Sequence, residues 1–112
     1  MPPTVPPKRI LFVCRLNRYR SATAERIFCK RKDLDVRSAG TAEHALVRVT
    51  ERMLDWAEKI LVMDSKEVDA LNRMFPAHPA LDRIICLDIP DEFVFLQPQL
   101  VELLEQKVPQ YL

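Results

Sequence analysis

Apolar residues in this chain come in two textures, short unbroken runs and runs spaced as on a helix face, and the two alternate. Arg9-Ile-Leu-Phe-Val-Cys14, Lys59-Ile-Leu-Val-Met63 and Arg83-Ile-Ile-Cys-Leu87 are short and continuously apolar, as expected of strands buried on both faces. Asp35-Val-Arg-Ser-Ala39 is a weaker fourth strand, and Gly40, the only glycine, follows it at an expected turn. Between the strands, Ser21 to Lys32 places Ala24, Ile27 and Phe28 on one helical face, with Ser21 available to cap the start. Thr50 to Glu58 groups Met53, Leu54 and Ala57 in the same way. Asp64-Ser-Lys-Glu67 has the form of a capping box, opening a helix that ends near Phe75-Pro76. Pro98 suits the first position of a last helix, striped by Leu100, Leu103, Leu104 and Val108. The order β-α-β-α-β-α-β-α predicts an α/β fold of three layers, a four-stranded parallel sheet with helices on both faces.

Composition narrows the class without changing that picture. The 112 residues suit one domain with one region of folding, expected over residues 8–112. Four of the nine prolines fall in residues 1–7, read as a disordered leader. Apolar residues at 48% and charged residues at 29% are an ordinary globular balance. A net charge of +1 gives no case for nucleic acid or for a membrane surface as partner, and no apolar run has the length of a membrane span. Cys14, Cys29 and Cys86 are an odd number at no metal-like spacing. Neither a disulfide framework nor a metal is indicated, and a reducing, cytoplasmic setting is expected.

In sheets of this kind ligands bind beyond the carboxyl ends of the strands, which draws attention to Cys14-Arg-Leu-Asn-Arg-Tyr-Arg20-Ser21. A cysteine ends a strand, five residues intervene, and an arginine and a serine open a helix. A loop of that length, here Arg15, Leu16, Asn17, Arg18 and Tyr19, can wrap backbone N–H groups around a tetrahedral anion at the helix N-terminus. The helix dipole and the nearby guanidinium groups favour a thiolate at Cys14. Arg20 can fork onto two oxygens of a phosphate, which lysine cannot do in the same geometry. Ser21 can donate to the sulfur as it becomes a leaving group. Arg15 and Arg18 either widen the positive field or are ordinary surface residues.

The stretch Ile10-Leu-Phe-Val-Cys14 with Asn17, Arg20, Ser21 and Ala24-Glu25 resembles the opening signature of the low-molecular-weight protein tyrosine phosphatase family. The resemblance runs on through Ser38-Ala-Gly-Thr41, Arg48-Val-Thr50, Ile60-Leu-Val-Met63 and Ile89-Pro-Asp91, most of the chain from Lys8 onward. It implies a flavodoxin-like fold and hydrolysis of aryl phosphates, phosphotyrosine in a protein or a small aryl phosphate, through a phosphocysteine on Cys14. It implies no metal and no organic cofactor. It makes Asp91 the general acid and Phe93 the matching aromatic of the substrate wall; Asp88 competes by position but lacks the Pro-Asp-x-aromatic register. It makes Asn17 a brace of the loop and Ser38 a member of that brace. Asparagine tolerates a left-handed backbone, which suits a tight loop without glycine.

The chain departs from the family pattern at several points. Leu16 stands where the family has glycine, Tyr19 where it has a second cysteine, and Glu92 where it has a proline after the acid. Nine residues separate Gly40 from Thr50, where the family carries a longer, aromatic-bearing segment. The rival readings are a non-catalytic phosphate- or phosphoprotein-binding module and a thiol-dependent arsenate reductase. The latter needs two further cysteines near one another, and Cys29 on the first helix and Cys86 in a strand do not supply them. His44 and His78 are expected in solvent without partners.

Overall fold

Every second residue of one strand decides which side of the molecule it builds. The structure is a computed structural model describing residues 5–112, so that Met1–Thr4 of the proline-rich leader lie outside the described residues. Strand β1 (Lys8–Cys14) lies inside a parallel sheet of order β2-β1-β3-β4, with β2 at Leu34–Gly40, β3 at Lys59–Val62 and β4 at Ile84–Cys86. Ile10, Phe12 and Cys14 point to a core shared with Ala24 and Phe28 of α1 (Arg20–Phe28) and Leu100 and Leu104 of α4 (Pro98–Lys107). Leu11 and Val13 point to the opposite core, with Leu54 of α2 (Glu51–Trp56) and Leu71 of α3 (Ser65–Met74). Burial on both faces explains the unbroken apolar run. The Phe12 and Phe28 rings stack at 5.9 Å between centroids, and truncating such a buried ring to alanine costs about 3–5 kcal/mol.

The neighbours of β1 fix where a ligand goes. The chain leaves β1 to pair β2 on one side and later returns to place β3 on the other, so the switch of direction falls at the carboxyl end of β1. Cys14 is the residue at that end.

Four local expectations are corrected. Helix α1 starts at Arg20 and stops at Phe28, short of Lys32, because Lys8 N–H donates to Asp33 O and the chain must reverse to lie beside the start of β1. Ser21 does not cap it. The N-cap is Tyr19, with no side-chain bond, and the Ser21 hydroxyl faces the Cys14 sulfur instead. Gly40 is not at a turn. It ends β2 without a positive φ, and a Cβ there would lie 2.5 Å from Arg15 O and 2.7 Å from Ala45 Cβ, so close approach is what requires glycine. His78 has partners: its Nδ1 accepts from Ala80 N–H at 3.0 Å and its Nε2 is 2.8 Å from Asp55 Oδ1. It caps an unanticipated 3-10 turn, Pro79–Arg83, that shortens β4 to three residues.

Candidate active site

The loop between β1 and α1 is shaped by the segment that follows β2. Thr41, Ala42 and Leu46 N–H groups donate to the carbonyls of Cys14, Arg15 and Leu16 at 3.0, 2.9 and 3.0 Å. In a trans peptide the next N–H points opposite to the carbonyl, so the N–H groups of Arg15, Leu16 and Asn17 turn to the sulfur side. Asn17 N–H does donate to Cys14 Sγ, at 3.3 Å. Asn17 turns the loop with φ 58°, in the left-handed region.

A chain of hydrogen bonds runs from a carboxylate to the sulfur, and its direction as far as Ser21 follows from its first member. Glu25 Oε1 accepts from the Ser38 hydroxyl at 2.6 Å. Ser38 Oγ then has a lone pair free and accepts from Asn17 Nδ2 at 2.8 Å. The second Asn17 Nδ2 proton goes to Ser21 Oγ at 2.9 Å. Ser21 Oγ, having accepted that bond, lies 2.9 Å from Cys14 Sγ and 3.4 Å from Ala39 O, and a thiolate at Cys14 draws its one proton to the sulfur. Asn17, Ser21 and Ser38 are all buried, so this network is held away from competing water.

Arg20 is the largest fully buried side chain in the core, 2% exposed. Its Nη1 donates to Asp64 Oδ2 at 2.7 Å and to Ile89 O at 2.8 Å. Its Nε lies 3.7 Å from Asp91 Oδ1, and Nη2 has no protein partner among the described residues. The Nε–Nη2 edge is thus the one left to fork onto an anion. Burial pushes the Asp64 carboxyl up, but hydrogen bonds from Glu67, Arg20 and Lys66 N–H overcome this and hold it at about 2. Glu67 is pushed the other way, to about 8, by burial and then by its hydrogen bond to Asp64 and the Asp64 charge. In place of a capping box, the Glu67 carboxyl meets the Asp64 side chain.

Cys14, Arg15, Leu16, Tyr19, Arg20 and Asp91 line one small cavity. Asp88 is elsewhere: it lines a separate surface cavity with Cys86 and Lys107, and its backbone carbonyl accepts from Lys107 Nζ at 3.0 Å. Arg18 is exposed. Phe93 is not among the cavity-lining residues; it is half-buried and packs on the core that contains Ile89 and Leu100. The outward-facing apolar residues of its loop are Val94, Phe95 and Leu96, the first 59% exposed. Sequence reasoning missed the roles of Glu25, Asp64, Glu67 and the Thr41–Leu46 clasp. Glu25 lies one turn after Ser21 on α1, a spacing that hinted at a shared face. Asp64 ends the apolar run of β3, at the same sheet edge as Cys14, which also could have drawn attention.

A family profile described as low molecular weight phosphotyrosine protein phosphatase matches residues 9–89. The chain belongs to this family. Solved structures agree with it. The arginine phosphatase YwlE from Geobacillus stearothermophilus is 25% identical, over 89% of this chain and 90% of its own, with a TM-score of 0.70. The tyrosine phosphatase Wzb from Escherichia coli K30, in complex with phosphate, is 22% identical over 89% of this chain and 92% of its own, at a TM-score of 0.72. Wzb from Vibrio vulnificus, in complex with benzylphosphonate, is 23% identical over 88% and 90%, at 0.70; these last two are similar in fold. No curated protein sequence matches the chain. As a low molecular weight phosphatase it is a cysteine-based phosphoric monoester hydrolase, with Cys14 in the position the family requires. No helix among the described residues is long and apolar enough to cross a membrane.

Proposed function

We propose that the protein hydrolyses aryl phosphate monoesters, phosphotyrosine in a protein or a small aryl phosphate, with Cys14, Arg20, Ser21 and Asp91 as the reacting set. The observation that carries this reading is the hydrogen-bond chain ending on Cys14 Sγ within the cavity that Arg20 and Asp91 share. The phosphoryl group enters with its oxygens against the Arg20 edge and the N–H groups of the Arg15–Tyr19 loop. The Cys14 thiolate attacks phosphorus, the S–P bond forms, and the P–O bond to the aryl group breaks as Asp91 gives its proton to the leaving oxygen. Asp91, now a carboxylate, takes a proton from water. The water oxygen attacks phosphorus, the S–P bond breaks with its electron pair returning to Cys14 Sγ, and the Ser21 hydroxyl donates a hydrogen bond to that thiolate. Asn17 and Ser38 brace that hydroxyl.

Leu16 and Tyr19 supply the apolar wall for the ring, while Phe93 ties the Asp91 loop to the core. Arg15 and Arg18 set positive charge about the mouth, which works against a guanidinium leaving group and favours phosphotyrosine over phosphoarginine. No cofactor enters this scheme, residues 8–112 act as one catalytic domain, and a reducing cytoplasm suits the three free thiols. The test is hydrolysis of p-nitrophenyl phosphate from about pH 5 to about pH 8 by the wild type, Cys14→Ser and Asp91→Asn, with phosphotyrosine and phosphoarginine peptides alongside. Turnover lost in the first variant, reduced in the second and preferring phosphotyrosine is expected. Folded wild type that binds phosphate without turnover contradicts the reading.

A further inference from the structure

Glu67 is a buried acid that the reaction above does not use. It is 3% exposed, and its Oε2 is the one buried side-chain oxygen without a hydrogen-bond partner among the described residues. It stands at the third position of α3, where its carboxyl reaches back to Asp64, the N-cap. Asp64 already accepts Lys66 N–H at Oδ1 and Arg20 Nη1 at Oδ2, at 2.8 and 2.7 Å. Two carboxylates side by side in a buried place repel, whereas a carboxylic acid can donate its proton to a carboxylate.

We propose that Glu67 is a positioning residue for the phosphate clamp: its carboxyl O–H donates to Asp64, and Asp64 so held fixes the Arg20 guanidinium. The proposal rests on the reading of Arg20 as the group that holds phosphate. Asp64 beside it and Arg20 beyond Asp64 are the charged groups whose fields act on Glu67. Arg15 from the loop after β1, Glu43 and His44 from the loop after β2, and Lys66 and Arg73 of α3 line the cavity beside it. All five are exposed, so water and salt screen them. The ionisation of Glu67, displaced upward by burial and by Asp64, places a second negative charge beside Asp64 and removes the donor. Arg20 then loses its fixed seat, and a small misplacement of a clamp is expensive in rate.

The experiment compares Glu67→Gln and Glu67→Leu with the wild type on p-nitrophenyl phosphate, as the ratio of variant to wild-type kcat/KM at each pH. A ratio cancels the titration of Asp91 and of the substrate. The glutamine amide donates to Asp64 at every pH, so its ratio is near one at about pH 6 and rises about five- to tenfold by about pH 9. Leucine cannot donate, and its ratio is below one at about pH 6, where the wild type still holds its proton. A flat glutamine ratio, or glutamine as impaired as leucine at low pH, overturns the proposal. The same ratio taken for inorganic phosphate affinity by calorimetry reads the clamp without turnover. An inactive wild type therefore defeats the catalytic reading, while the phosphate titration still decides the part played by Glu67.

Discussion

The two walls of the active cavity are built to different standards. On one side, Cys14, Asn17, Arg20 and Ser21 are buried and tied by hydrogen bonds to β2, α1, Asp64 and the Ile89 carbonyl. On the other, the Asp91 side chain is 54% exposed, its contact with the cradle is 3.7 Å from Arg20, and its loop continues into the exposed Val94 and Phe95. The cradle is rigid before any substrate arrives, as electrostatic stabilisation of an anion demands. Asp91, the proposed acid, is free to meet leaving groups of different shape. On the proposed reading, affinity for phosphate belongs to the first wall and the rate of ester cleavage to the second.

Changes in the cradle should harm folding and function together, and a change in the acid should harm function alone. Arg20→Lys has the largest effect. Losing the fork lowers kcat/KM on an aryl phosphate by about a thousandfold, and disturbing the buried bonds to Asp64 and Ile89 O costs about 3 kcal/mol in denaturant unfolding. Asp91→Asn lowers kcat by about a hundredfold on phosphotyrosine, yet leaves phosphate affinity within about twofold and the melting temperature within about 1 °C. A fall in stability here would mean that the acid wall is as integrated as the cradle. Asn17→Ala removes the link between Ser38 and Ser21; about a tenfold loss of kcat and about 2 kcal/mol of stability are expected, read by turnover and urea titration. Gly40→Ala forces a Cβ toward Arg15 O and is expected to cost about 1–3 kcal/mol while slackening the loop.

The smallest effect lies beneath the cradle and shows only with pH. Glu67 is displaced upward to about 8 from a glutamate's ordinary 4.5, by burial first and by Asp64 second. The folded protein thus keeps a proton that the unfolded chain releases near pH 4.5, so this residue's contribution falls as pH rises through that window up to about 8. Glu67→Gln removes the dependence. Its melting temperature should exceed that of the wild type by a few degrees near pH 8 and match it near pH 5, about the scale of a modest stability change in a domain this size.

The sheet, its helices and the cradle were legible because each is written locally. Continuous apolar runs mark strands buried on both faces, and Cys14 and Arg20 bracket a loop at the end of one of them. What was not legible depends on partners brought together by the sheet. Ser21 opens a helix, and a serine there reads as a cap; only the arrival of Cys14 from β1 turns its hydroxyl to the sulfur. Gly40 reads as a turn because nothing nearby reveals that Arg15 O and Ala45 press against it. The Asp64 bond to Arg20 spans 44 residues, and the neutral acid under it follows from burial that a local pattern does not show. Phe93 matched an aromatic position, but the core took it.

The most direct test of a nucleophilic Cys14 in a preformed cradle is to trap the intermediate. Asp91→Asn, mixed with an excess of p-nitrophenyl phosphate and quenched in acid within a turnover, is digested and read by mass spectrometry. The nitrophenolate leaving group needs little protonation, so the first step survives in this variant, while loss of the carboxylate slows attack by water. One phosphoryl group on the peptide containing Cys14 is expected, and none when Cys14→Ala is combined with Asp91→Asn. Turnover with no phosphoryl group on Cys14, or with the group on another residue, would contradict it.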